Sequence, residues 1–253
     1  MGCTMKLSVA LFFASLFGAL ATLFIVLSFG TDYWLVAFET CPDPDSHHGL
    51  LPVDYQEGDM MVNQDMSDPT VFYHEGFFWL CSFTGRLEPS EGENLLKFWF
   101  TNQPHSKECK HAYLFPYPVS EATHNATTVD SAIIYRGFWS VFMLVGVLAA
   151  ILAGFLIICA APFASHCLYK AGGGLYFIAA LFLLAVIVMF VIWKEALEFV
   201  PLYLDHQRDK CPLFEMNMDY GISFMFAPVG IFFCLLAGLL FFAIGRTVQR
   251  RGV

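Results

Sequence analysis

The sequence predicts an all-α membrane bundle with a small β component: a four-transmembrane helix bundle carrying an extracellular antiparallel β-sheet. Three observations lead there. The apolar runs 7–29, 138–160, 175–192 and 221–245 contain no Asp, Glu, Lys, Arg or His, and each is near the ~20 residues a helix needs to cross a ~30 Å hydrocarbon core. All 22 carboxylates fall in two of the five remaining segments, 30–137 and 193–220. The other three, 1–6, 161–174 and 246–253, hold Lys6, Lys170, Arg246, Arg250 and Arg251 and no acid. The positive-inside rule therefore puts both termini and the 161–174 connection in the cytoplasm, and the two acidic segments outside.

Composition agrees with that layout. The 253 residues are 57% hydrophobic and 14% charged, unusual for a soluble chain and ordinary when most of the apolar content faces lipid or neighbouring helices. The net charge of -9 averages acidic outer segments with purely basic inner ones. Such an outer surface repels nucleic acid, and the chain has no basic patch of the kind that binding phosphate backbones requires. Topology accounts for the inner cations without phosphoinositide binding by Arg246, Arg250 and Arg251.

The first run, 7–29, includes Ala19, Leu20 and Ala21, which imitate a signal-peptidase site, but it continues to Phe29 with no polar break. An uncleaved first span is expected. The start Met1-Gly2-Cys3-Thr4-Met5-Lys6 lacks the Ser or Thr that a myristoylation site wants at position six. Within the spans, small residues recur every fourth position: Ala10, Ala14 and Gly18 in the first, Gly146, Ala150 and Gly154 in the second, Gly230, Cys234 and Gly238 in the fourth. Smooth faces of this kind let helix backbones approach closely, and packing within one bundle is their expected use. The uncharged spans offer no proton relay or ion ligand, so transport through the bundle is not expected.

The first outer segment has two textures. From 41 to 70 it carries Asp43, Asp45, Asp54, Glu57, Asp59, Asp65 and Asp68 with no Lys or Arg, which predicts a self-repelling acidic insert. Its spacing matches no EF-hand, and His47 and His48 have no further ligands to make a metal site. From Val71 onward, short aromatic and β-branched runs at 71–73, 77–83 and 97–101 read as strands, as does 33–38 just beyond the first span. Segment 193–220 is expected as a second outer loop.

Of the eight cysteines, Cys41, Cys81, Cys109 and Cys211 lie on the predicted oxidising side and can pair in one of three ways. Cys3, Cys159 and Cys167 fall near the inner face, where they stay thiols or carry palmitate. Asn125-Ala126-Thr127 is the sole glycosylation sequon, and it falls in a segment that topology already places in the lumen. No serine, cysteine or histidine arrangement marks a catalytic centre, so neither enzyme activity, a metal, a cofactor nor a small-molecule substrate is expected.

Trp34 soon after the first span, then Gly76-Phe77-Phe78-Trp79-Leu80-Cys81, then Cys109, resembles the signature of the claudin and peripheral myelin protein superfamily, a Trp, a Gly-Leu-Trp and two cysteines on a four-span layout. The resemblance covers the whole chain. Stretches 74–81, 97–104, 134–139, 157–166 and 168–174 are closely similar to a muscle-associated group of that superfamily, the transmembrane protein 182 family. The resemblance implies a disulfide between Cys81 and Cys109, which leaves Cys41 and Cys211 for each other. It also implies a plasma-membrane regulator that restrains myoblast differentiation and fusion by binding integrin β1 and weakening its attachment to laminin. Two other classes share the fold: auxiliary channel subunits resembling calcium-channel γ subunits, and paracellular junction proteins. The latter suffer because Arg250-Arg251-Gly252-Val253 lacks the Ser or Thr that common PDZ ligands use.

Phe98, Trp99 and Phe100 are the expected partner anchors, because alternate strand residues face opposite ways and at least one large ring must then meet solvent or a partner. Trp34 and Trp79 are expected to be structural, packing where the sheet meets the membrane surface.

Overall fold

The computed structural model describes residues 2–42, 70–85, 107–112, 117–118, 126–163, 165–196 and 199–251. In chain order these form helix α1 (Gly2–Gly30), strands β1 (Leu35–Thr40), β2 (Thr70–Glu75), β3 (Trp79–Gly85) and β4 (Glu108–His111), helices α2 (Ala126–Phe163), α3 (His166–Ala196) and α4 (Phe199–Arg208), strand β5 (Glu215–Tyr220) and helix α5 (Ile222–Arg251). Helices α1, α2, α3 and α5 are each long and apolar enough to cross a membrane. The acidic residues 43–68, the run expected as a strand at 97–101, and Asn125 lie outside the described residues.

The helices overrun the apolar runs that specify them. Helix α2 starts at Ala126 rather than near 138, and the expected inner connection 161–174 is helical on both sides of a short junction between Phe163 and His166. Hydrocarbon thickness sets only the minimum length of a span, and helix hydrogen bonding continues in water until a stop signal intervenes. Here Pro162 lies in the last turn of α2, and Ser165 takes the capping position of α3, its carbonyl accepting from Tyr169 N at 3.2 Å. Segment 193–220 is likewise no plain loop, since it holds the end of α3, all of α4 and strand β5.

The sheet runs β4-β3-β2-β1-β5 and is antiparallel throughout. Leu35 on the central strand β1 pairs with Glu75 on one side and Tyr220 on the other. Strand β5, contributed by the second loop, was not expected, because Glu215-Met216-Asn217-Met218-Asp219-Tyr220 is rich in residues that disfavour strands. Its period-two pattern decides the matter: Met216, Met218 and Tyr220 pack against the core, while Glu215 and Asn217 are exposed.

In the bundle, α3 packs on both α2 and α5, α5 packs on α1, and α1 meets α2 through a smaller contact. The small-residue faces lie inside this arrangement. Ala14, Ala150 and Cys234 are buried, Tyr176 Oη donates to the Gly18 carbonyl at 3.2 Å, and Gly146 and Gly230 lie against Leu183 and Ile25. Backbone meets backbone between α3 and α5, where a Cβ added to Gly173 would stand 2.9 Å from the Gly238 carbonyl oxygen and one added to Gly238 would stand 3.0 Å from that of Gly173. Outward, Leu16 and Leu23 on α1, Leu148 and Phe155 on α2, Leu181 on α3 and Leu239 on α5 are exposed, a surface that suits lipid.

Gly173→Val should therefore lower the stability of the purified protein by about 1–3 kcal/mol through overpacking, seen as a fall in melting temperature in detergent. Gly174→Ala is the control: its added Cβ meets nothing within 4 Å, and a helical Gly→Ala change should instead stabilise by up to about 1 kcal/mol.

Candidate functional site at the junction of sheet and bundle

Leaving the last turn of α1, the chain drives Trp34 into the top of the bundle. Its side chain is 2% exposed, and its ring meets Phe77, Phe190 and Phe224 edge-on at centroid distances of 4.9, 5.2 and 5.6 Å. Nε1 donates to the Ser28 carbonyl at 2.6 Å, which satisfies the one polar atom that burying an indole would otherwise strand. The Trp34 backbone donates to Glu75 O at 2.8 Å and accepts from Gly221 N at 3.0 Å. One residue thus ties α1 to β2 and to the start of α5. Ser28 Oγ donating to Ser223 O at 2.7 Å, and Tyr33 N donating to Ser223 Oγ at 3.0 Å, fasten the same corner.

The second tie is ionic. Arg136, two residues before the apolar run of α2, stands with Nη1 2.9 Å from Glu75 Oε1, a charge contact rather than an aligned hydrogen bond, and the two side chains are 4% and 3% exposed. Its Nη2 donates to the carbonyls of Gly76 at 2.7 Å and Ala112 at 2.9 Å, while Glu75 Oε2 accepts from Tyr117 N at 2.8 Å. Burial holds the Glu75 pKa above the usual carboxylate range, with Arg136 and the Tyr117 N–H opposing part of that rise. Gly76 has to be glycine here, since a Cβ would fall 2.5 Å from Asp32 Cα.

A second buried carboxylate, Glu39 on β1, accepts from the hydroxyls of Tyr117 and of Tyr203 on α4, the latter at 2.7 Å. Burial first, then the Glu39 charge, raises the pKa of both phenols, so they remain donors. His74 on β2 stacks on Tyr33 at 4.4 Å and lies 2.8 Å from the Asp32 carbonyl through Nδ1; a carbonyl only accepts, so Nδ1 carries the proton. Burial is the main force holding the His74 pKa down to about 4, with the Lys107 charge also lowering it and the Asp32 contact opposing. Among the described residues no group of three or more His, Cys, Asp or Glu is placed to hold a metal ion. The junction is a joint that fixes the sheet on the bundle.

The structure brings Cys81 together with Cys109 and Cys41 with Cys211 as disulfides. Cys81 and Cys109 sit directly opposite each other on β3 and β4. The signature residues divide: Trp34 and Gly76 are inside the joint, whereas Trp79 is 38% exposed and stacks on His111 at 4.2 Å. Phe77 takes the place against Trp34 instead. Trp79 opens β3 and is exposed, whereas the two residues that follow it, Leu80 and Cys81, are buried. Phe98, Trp99 and Phe100 lie outside the described residues. Sequence reasoning missed Glu39, Glu75, Arg136, Tyr117 and Tyr203. The available signal was Arg136, a cation hard against an apolar run, which calls for a nearby acid.

Comparison with known proteins agrees with this architecture. A family model described as PMP-22/EMP/MP20/claudin tight junction matches residues 19–243. The chain is 57% identical over 254 residues to transmembrane protein 182 of Danio rerio, covering 98% of this chain and 99% of that protein. It is 48% identical over 245 residues to transmembrane protein 182 of Homo sapiens, covering 97% and 99%, and 47% identical over 246 residues to that of Gallus gallus, covering 96% and 98%.

Burial of neutral His74 makes the joint sensitive to acid. Its folded pKa of about 4 lies below the unfolded value of 6.5, so the unfolded chain binds the proton more readily and stability falls as pH drops from 6.5 towards 4. The loss should approach roughly 3 kcal/mol at the bottom of that window. Thermal denaturation across pH 4–7 should show the slope, and His74→Asn should flatten it while costing some stability at neutral pH.

Proposed function

This chain belongs to the PMP-22/EMP/MP20/claudin family, and within it to the transmembrane protein 182 family, and on that premise we propose that it is a non-enzymatic plasma-membrane regulator that binds a membrane partner through its sheet. Both termini face the cytoplasm and the sheet faces outside. The charge partition supports this orientation, with every acid on the sheet side of the spans and only cations beyond their other ends. The partner is integrin β1, and binding it weakens laminin attachment and restrains myoblast differentiation and fusion. This identity rests on the family resemblance.

The observation that carries the interaction reading is the edge of the sheet. Strands β3 and β4 are stapled by Cys81 and Cys109, all four residues of β4 are exposed, and the segment from 86 to 106, which includes Phe98, Trp99 and Phe100, begins and ends on these two strands. An aromatic segment whose two ends are covalently anchored on a rigid sheet loses less conformational freedom on binding than a free loop. Large aromatics are also the residues that most often dominate interface energetics.

Overexpression in myoblasts should reduce laminin adhesion and fusion, and replacing Phe98, Trp99 and Phe100 by Ser should abolish that effect with surface expression retained. Aromatic anchors typically contribute about 2 kcal/mol or more each, so losing even one should weaken binding more than roughly tenfold. A surface-expressed triple variant that co-purifies integrin β1 at wild-type yield would place the contact elsewhere. Orientation has its own check: Asn125→Gln should increase gel mobility in a mammalian host by removing a glycan, and unchanged mobility counts against an outward-facing sheet.

A further inference from the structure

The two disulfides differ in what else holds their ends together. Cys81 and Cys109 lie opposite each other inside the β3–β4 ladder, flanked by the pairs Leu80 with Lys110 and Ser82 with Glu108. Cys81 is 2% exposed. When that bond opens, the flanking pairs keep the two thiols face to face, and their high effective concentration favours its return. Cys41 and Cys211 lie beyond the end of a ladder. The β1–β5 pairing stops at Thr40 and Glu215, and the bond joins the residue after β1 to one shortly before β5. Cys41 is exposed and Cys211 half-buried.

The outer bond restrains a segment that is fixed more firmly at its other end. There Gly221 N donates to the Trp34 carbonyl at 3.0 Å and Ser223 N to that of Tyr33 at 3.0 Å, which sets β5 on the bundle. Toward the bond, Glu215 and Asn217 are exposed and of low strand propensity. Helix α4 is tied by side chains: the Tyr203 hydroxyl donates to Glu39 at 2.7 Å, and its ring meets Phe214 at 6.2 Å. Opening the bond removes the covalent constraint that keeps this end of the second loop beside β1.

The surroundings also give the bond a direction of exchange. A thiolate attacks an accessible sulfur, and the other sulfur leaves faster the lower its thiol pKa. Cys41 is the more exposed of the two. Cys211 follows the exposed residues Arg208, Asp209 and Lys210, whereas Cys41 is followed closely by Asp43 and Asp45. Neighbouring cations favour a thiolate and neighbouring carboxylates oppose it. Cys41 therefore suits attack and Cys211 suits departure.

We propose that the Cys41–Cys211 bond is a thiol–disulfide exchange site, a clasp on the second outer loop that a dithiol oxidoreductase on the sheet side of the membrane opens. The attacking thiolate bonds to Cys41 Sγ, the bond to Cys211 breaks with its electron pair on Cys211 Sγ, and that thiolate takes a proton from water. The second thiol of the oxidoreductase then displaces Cys41. Two electrons and two protons pass from the dithiol to the pair, and the dithiol leaves as a disulfide. Opening frees α4 and the outer end of β5 and uncovers the edge of β1 that β5 had paired. The Cys81–Cys109 bond stays closed, so β1 to β4 keep their arrangement.

The full-length protein in nanodiscs, equilibrated across a series of dithiothreitol redox buffers, tests this by alkylating free thiols, then reducing and alkylating the remainder with a heavier reagent for peptide mass spectrometry. Cys41 and Cys211 should be half-reduced while Cys81 and Cys109 still favour the disulfide at least about tenfold, an offset of about 30 mV or more. On opening, hydrogen exchange should quicken across 199–220 and stay unchanged in β2 and β3. A thioredoxin-type probe lacking its resolving cysteine should be trapped on Cys41. The double variant Cys41→Ser, Cys211→Ser should show the faster exchange without reductant, and if it fails to fold the wild-type titration decides alone. On intact myoblasts expressing the protein, a membrane-impermeant maleimide should find a thiol fraction at Cys41 and Cys211. Equal reduction of both pairs overturns the proposal, and so does opening that leaves exchange across 199–220 unchanged, capture of the probe on Cys211, or complete oxidation of Cys41 and Cys211 on cells.

Discussion

The structure depends first on one guanidinium. Arg136 lies at the sheet end of a membrane-spanning helix, nearly cut off from water, and it reaches out of the helix to a carboxylate on β2 and to carbonyls on either side of the hairpin. Desolvating such a pair is expensive, and the net stability it adds to a fold is small for that reason, but removing one partner commonly costs about 3–5 kcal/mol because the other is left charged in an apolar setting. The value of the pair is geometric. Arginine offers donors in a planar fork that can hold several acceptors at fixed angles, which lysine cannot. The carbonyls of Gly76 and Ala112 accept from it directly, and its partner Glu75 in turn accepts from the Tyr117 backbone.

Around that point the sheet closes as a single body built from two loops far apart in sequence. Strand β1 pairs with β2 on one side and β5 on the other, and Cys41 is bonded to Cys211, so the second loop cannot drift from the first. Glu39 repeats the burial of Glu75, and two tyrosine hydroxyls donate to it, one of them from α4. Buried polar groups satisfied in this way contribute little net stability and much specificity of arrangement. A surface held this rigidly presents whatever its edges carry at little entropic cost, as a recognition platform requires.

The bundle below obeys a different rule. Water does not drive helix against helix inside lipid, so association relies on close packing. The glycine pair at positions 173 and 238 brings two backbones into contact, and the tyrosine hydroxyl at 176 finds a carbonyl across the helix interface. On α1 and α5 the glycines involved, Gly18 and Gly238, belong to rows of small residues that recur every fourth position.

The features legible in the sequence were those set by local pattern. Bilayer thickness and the cost of burying charge marked the four spans, and short aromatic and β-branched runs marked β1, β2 and β3 to within a few residues. Of the two signature tryptophans expected where the sheet meets the membrane surface, Trp34 is buried in the joint and Trp79 is partly exposed. What tertiary structure alone decided were the long-range pairings. Strand β5 forms against its own weak propensity because β1 offers a free edge and Cys41 holds the loop there; Arg136 finds Glu75 across 60 residues of chain because folding brings the hairpin over α2; and Trp79 stays outside because Phe77 fills the socket first. A sequence carries each residue's preferences, but which groups meet depends on the path of the whole backbone, and at this joint the meetings determine what each residue does.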